Sequence, residues 1–195
     1  MKNKVTFIVL AIIVVSLFLV VKFSNSAKTI EEAITTPGSK PINIIHEEKT
    51  DKGSIVFYNH LGENDLSTAF VKKNISGYKT VYSGIQGDMK LVLNKYGVSY
   101  QYFPGIVETS LPIYFGIIGN PDIRQVKIIE KKRNIEDQAK IINAKDIRIW
   151  LIYMSKFEGS DFEILGISAD GKELTRIDDN ISPYYADQKP FKSTY

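Results

Sequence analysis

The chain of 195 residues carries eleven tyrosines, ten phenylalanines and one tryptophan but no cysteine, which excludes disulfides, thiolate metal sites, cysteine nucleophiles and a lipid-modified cysteine anchor. Its only histidines, His46 and His60, are too few for a three-histidine metal centre. The formal charge of +3 comes entirely from Lys2, Lys4 and Lys22, because the remaining 22 basic residues match the 22 acids; a neutral remainder has no field to gather polyanions, so no nucleic-acid partner is expected.

Residues 5–21, VTFIVLAIIVVSLFLVV, contain no charge, and only Thr6 and Ser16 are polar. As a helix they would rise roughly 26 Å, near the lower limit for crossing a bilayer core. Lys2, Lys4 and Lys22 flank the run, and Phe23 continues it to the interface, so residues 5–23 are predicted to be a transmembrane anchor and the membrane a partner. The alternative is a signal peptide cleaved near Ser26/Ala27. It fits less well, because the apolar run is longer than a usual signal core and Asn25 spoils the A-x-A pattern. Lys2 and Lys4 ahead of the helix predict a cytoplasmic tail over 1–4, a single pass, and an extracytoplasmic domain at the cell membrane.

Residues 24–40 read as a linker with one short helix. Thr29-Ile30-Glu31-Glu32 has the form of a capping box, and Thr36-Pro37-Gly38 ends it. From residue 41 to 181 short strands and turn signals alternate, predicting a mainly β fold of nine or ten strands: an antiparallel β-sandwich or an open β-barrel-like domain. Expected hairpins pair Ile42–Glu47 with Ser54–Tyr58, Ser67–Lys73 with Tyr78–Ser83, and Met89–Leu93 with Val98–Phe103. Further strands are expected at Ile113–Ile118, Ile123–Ile129, Ile147–Met154, Phe162–Ser168 and Leu174–Ile177. Asn134–Asn143 fits a helix by its Ile135, Ala139, Ile142 spacing, but the rhythm of the flanking turns favours a strand. Residues 182–195 read as a loose polar tail, with Tyr184 and Tyr185 able to pack back on the domain.

The runs IIHEEKTDKGSIVFY, AFVKKNISGYKTVYSG, LPIYFGIIGNPDI and FEILGISADGKEL resemble a group of small membrane-anchored extracytoplasmic proteins of Bacillus-type bacteria. The likeness covers most of residues 29–178 and rests on strands and turns. It implies export and carries no catalytic signature. The closing strand, Ala169-Asp170-Gly171-Lys172, strand element is also similar to the terminal hairpin of immunoglobulin-like bacterial envelope modules.

No G-x-S-x-G, S-x-x-K, H-E-x-x-H or P-loop occurs, so no catalytic residue, metal ligand or cofactor is assigned. His46 and Glu48 share a strand face, as a base or ligand pair would, and also as a solvated strand end would. His60 falls in a loop. Asp178-Asp179-Asn180 lacks the spacing of a calcium loop, and Glu130-Lys131-Lys132-Arg133 reads as a solvated turn. Tyr100, Tyr102 and Phe103 are the candidate ligand-binding residues, because an aromatic shelf stacks sugars or peptides; a strand in a sandwich core gives the same pattern. The reading that follows is a membrane-anchored envelope protein with a non-catalytic binding or structural β domain, partnered by another envelope component. Its rivals are a surface hydrolase using loop histidines and acids, and an extracytoplasmic sensor or inhibitor.

Overall fold

The computed structural model describes residues 7–8, 10–16, 26–36, 38–63, 65–86 and 89–181. Both ends of the predicted anchor and the predicted tail 182–195, with Tyr184 and Tyr185, lie outside the described residues. Residues 7–8 and 10–16 are helical, and among the described residues no helix is long and apolar enough to cross a membrane.

Helix α1 (Ile30–Ile34) begins as its sequence predicts. The Thr29 hydroxyl accepts the Glu32 N–H at 3.1 Å, and the Glu32 carboxylate reaches back to the Lys28 N–H at 2.6 Å. Five residues cannot hold a helix alone. Packing does it: Ile30, Ala33 and Ile34 rest on Ile42, Val56, Tyr58, Ala69 and Val71 of the first sheet. Within the predicted linker, then, the helix is fastened to the domain.

The described strands number twelve, in three antiparallel sheets of four. The first is a meander of β1 (Ile42–Thr50), β2 (Gly53–His60), β3 (Leu66–Lys73) and β4 (Tyr78–Gln86). The second has the order β5 (Gln101–Phe103), β6 (Ile113–Ile118), β10 (Ile147–Tyr153), β9 (Lys140–Ala144). The third runs β12 (Glu173–Asn180), β11 (Asp161–Ile167), β7 (Gln125–Glu130), β8 (Ile135–Gln138). The second sheet lies in the middle and is buried on both faces. Ile113, Phe115, Ile149 and Leu151 meet Ile55, Phe57, Leu66 and Phe70 of the first sheet. Tyr114, Ile118, Trp150 and Ile152 meet Val126, Ile128, Phe162 and Ile164 of the third. The domain is therefore layered like a sandwich with a third sheet added, and the sheets do not close into a barrel.

Two local readings change. The expected strand at Met89–Leu93 is helix α2 (Met89–Tyr96), so the third predicted hairpin does not form; Val98 contributes only an isolated bridge to Ile118. Met89, Val92, Leu93 and Tyr96 fall at helical spacing, and Gly97, with φ 70°, ends the helix by donating to the Leu93 carbonyl at 2.8 Å. The ambiguous segment 134–143 is strand, broken at the buried Ala139, where the chain leaves the third sheet as β8 and enters the middle one as β9.

Candidate functional site

The middle and third sheets end on the same side in their edge strands β5 and β12, and α2 packs beside β12. Here the apolar layer between them reaches solvent through half-buried side chains: Tyr96, Tyr100, Tyr102 and Leu174. The Tyr102 ring lies 5.0 Å from that of Tyr114, whose buried hydroxyl donates to the Asp179 carboxylate at 2.5 Å. Burial first, and then that bond to Asp179, push the Tyr114 hydroxyl far above the ordinary tyrosine range, so it stays a donor at every physiological pH. Tyr100 is raised too, chiefly by burial and then by the nearby Asp179 and Tyr96.

Beside Tyr96 opens a cleft of about 600 Å³, lined by residues 93–97, Gly119, Asn120, Leu174 and Thr175. Lys95 Nζ sits 4.7 Å from the centre of the Tyr96 ring. Lys95 and Tyr96 are the only ionisable residues of that lining. One tyrosine ring, two asparagine amides and a cation suit stacking and hydrogen bonding. The lining holds no histidine, aspartate or glutamate.

Of the three candidate residues, Tyr100 and Tyr102 lie at this edge and Phe103 does not. Tyr100 and Tyr102 point toward the third sheet. Phe103, one residue on, points toward the first, where it is 1 % exposed and packs 4.9 Å from both the Phe115 and Tyr82 rings. In a sheet buried on both faces, neighbours along a strand belong to different cores, so the three do not form one shelf. Tyr96, from helix α2, packs against the same apolar layer as Tyr100 and Tyr102.

The histidines are held by local bonds. His46 Nε2 lies 3.3 Å from Glu48 Oε2, and Glu48 also accepts Lys140 Nζ at 2.7 and 2.8 Å, tying β1 to β9. Burial raises the Glu48 carboxyl, and the bonds from Lys140 and His46 outweigh it and leave it below its ordinary range. His60 Nδ1 lies 2.8 Å from Asp65 Oδ2, which also accepts Ser67 Oγ at 2.8 Å. Asp65 Oδ1 takes the His60 backbone N–H at 3.1 Å, closing the β2–β3 turn. The serine therefore donates to the carboxylate and not to the imidazole, which is the wrong order for an activated nucleophile. Asp178 pairs with Lys131 and Asp179 with Tyr114. Among the described residues no group of three or more histidines and acids is arranged to hold a metal ion.

One charged site escaped sequence reasoning. Glu130 is 1 % exposed, and the Arg133 guanidinium grips it with two nitrogens at 2.6 and 2.5 Å while the Glu158 N–H adds a third bond at 3.2 Å. The Arg133 fork, against the opposing effect of burial and with the backbone N–H groups of Gly159 and Glu158 adding to it, holds the carboxyl at about 2. The predicted solvated turn over 130–133 is thus anchored at both ends, with Lys131 bridging Asp161 and Asp178. The signal available was weak: Glu130 continues the inward phase of Val126 and Ile128 on β7. Comparison of the chain with protein-family models, with curated proteins and with solved structures finds no match.

Proposed function

We propose that this chain is a single-pass membrane-anchored envelope protein whose β domain has a binding role without catalysis, its recognition face being the tyrosine edge around Tyr96, Tyr100 and Tyr102. The observation that carries the anchor is the contrast in burial. Phe7, Ile8, Leu10 and residues 12–15 are each at least half exposed and belong to none of the three apolar clusters, whereas most large apolar side chains of the domain are buried or half-buried in those clusters. An uncharged apolar helix that no cluster of the described residues covers calls for lipid. The bridge between Ala27 and Tyr78 supports retention, because cleavage after Ala27 would strip a paired residue from the sheet.

The N-terminus is cytoplasmic and the domain extracytoplasmic in this reading, facing another envelope component. Full-length protein is expected to stay with membranes through alkaline carbonate extraction, and an Ile12→Lys/Val14→Lys variant to be released. Release of the unaltered protein overturns the anchor. Protease added to intact cells is expected to digest the domain, and a domain that survives until lysis reverses the orientation. A photoreactive residue at Tyr100 is expected to capture an envelope component that one at Lys172, in the β11–β12 turn, does not; equal capture removes the tyrosine edge from the proposal.

A further inference from the structure

Where the anchor meets the domain decides which surface faces the bilayer. Ala27 pairs with Tyr78, its carbonyl accepting the Tyr78 N–H at 2.9 Å, and the Ser26 hydroxyl donates to the Ser76 carbonyl. Gly77 makes room for this contact. A Cβ there would lie 2.1 Å from the Ala27 carbonyl oxygen, and its φ of 149° is one that glycine adopts without strain. The last apolar residue of the anchor sequence, Phe23, precedes Ala27 by four positions. Four residues span at most about 14 Å, however they run. If the anchor is in the membrane, the end of the first sheet that carries Tyr78 is held within that distance of it.

That end has the composition of a lipid-facing surface. It holds the β1–β2 turn, the β3–β4 turn and the loop before β6, joined to the β1–β2 turn by Ser110 Oγ, which lies 2.7 Å from Thr50 Oγ1. At its tips stand Ile75, 94 % exposed, and Val107, 80 % exposed. Around them lie Lys28, Lys49, Lys52, Lys72, Lys73 and Lys79, against the acids Glu31, Glu32, Asp51 and Glu108. Lys72 pairs with Glu108 at 3.6 Å, and Lys49, Lys52 and Lys79 make no ion pair among the described residues. The opposite end of the same sheet also exposes apolar side chains, Leu61 and Ile85, but its charged groups are Lys40, bonded to Glu63, and Asp65, bonded to His60. The two ends differ in their cations and in the tether.

We infer that the Ile75 end of the first sheet lies against the membrane surface, with Ile75 and Val107 entering the interface and the surrounding lysines meeting anionic lipid headgroups. Apolar tips with a lysine rim bind such a surface through partial burial and attraction to acidic lipid. The inference rests on the anchored reading above.

The chain has no cysteine, so Ile75→Cys and Leu61→Cys each create one labelling site for an environment-sensitive fluorophore. Full-length labelled protein is reconstituted in vesicles of phosphatidylcholine, with and without one part in three of phosphatidylglycerol, carrying a headgroup-level nitroxide quencher. Expected is co-flotation with the vesicles, quenching at position 75 several-fold greater than at 61, and a further rise with phosphatidylglycerol that Lys49→Glu/Lys52→Glu/Lys79→Glu abolishes. Co-flotation with equal quenching at the two positions, or with quenching at 75 indifferent to phosphatidylglycerol, overturns the inference and leaves the anchor standing. Failure to float overturns the anchor and the inference together.

Discussion

The two layers flanking the middle sheet are built on different chemistry. Between the first and middle sheets, isoleucine, leucine, valine and phenylalanine interlock, with Phe57, Phe103 and Phe115 meeting edge to face. Two polar atoms there, Thr68 Oγ1 and Gln101 Oε1, are buried with no hydrogen-bond partner among the described residues. Between the middle and third sheets, the two fully buried polar aromatics each have an acceptor. Trp150 Nε1 donates to the Ser99 carbonyl at 2.8 Å and Tyr114 to Asp179 at 2.5 Å. The first layer depends on shape, which tolerates substitution that conserves volume. The second depends on geometry, where a lost partner leaves a buried group unpaired. It is at one edge of the second layer that the tyrosines reach solvent.

The contrast breaks most readily at Gly116. This residue of β6 faces Trp150, and a Cβ on it would lie 1.9 Å from the Ser99 carbonyl oxygen and 2.8 Å from Trp150 Nε1. Gly116→Ala is expected to destabilise the domain by more than about 3 kcal/mol, because backbone must move. A change of under 1 kcal/mol in chemical denaturation would show that the second layer adapts as the first does. Arg133→Ala is next. It leaves the buried Glu130 carboxylate with backbone N–H partners alone, and is expected to destabilise the domain at neutral pH by less than Gly116→Ala does.

The pH dependence of that loss has a definite sign. The folded carboxyl of Glu130 sits at about 2, below the ordinary value of 4.5, so its contribution is complete above pH 4.5 and disappears as pH falls through 2. The stability difference between the unaltered protein and Arg133→Ala is expected to narrow across that window. A constant difference would mean that the arginine acts through packing.

A smaller effect separates the layers directly. Trp150→Phe is expected to cost about 2 kcal/mol, since the Ser99 carbonyl loses its donor, whereas Phe115→Leu is expected to cost less than about 1.5 kcal/mol. Equal thermal shifts would erase the distinction. Smallest, and opposite in sign, is Thr68→Val. Replacing an orphan hydroxyl by a methyl is expected to stabilise by about 1 kcal/mol, and destabilisation would reveal a partner for that hydroxyl in solution.

Much of this fold could be read where the information is local. Thr29 and Glu32 mark the start of α1, the turns at 50–53 and 74–77 fall where glycine and asparagine place them, and Ile113–Ile118 is bounded as its apolar run suggests. The same run concealed its meaning. A strand buried on both faces loses alternation, so nothing in IYFGII tells that Phe115 and Tyr114 serve different cores. At Met89–Tyr96 the residues Met89, Leu91 and Leu93 mimic a strand while Met89, Val92, Leu93 and Tyr96 obey a helix, and eight residues are too few to separate the two periods.

By itself the sequence determined the mainly β character, the uncharged run at residues 5–21, the neutrality of everything after Lys22, and the absence of thiol chemistry. These are properties of residue type and spacing. Tertiary structure alone decided that there are three sheets, that Phe103 leaves the tyrosines, that Tyr96 joins them, and that Glu130 is ionised inside the fold. Each of those depends on partners far away along the chain: Asp179 for Tyr114, Ser99 for Trp150, Lys140 for Glu48. Period and propensity act within a few residues, whereas burial and pairing are settled only when distant strands meet.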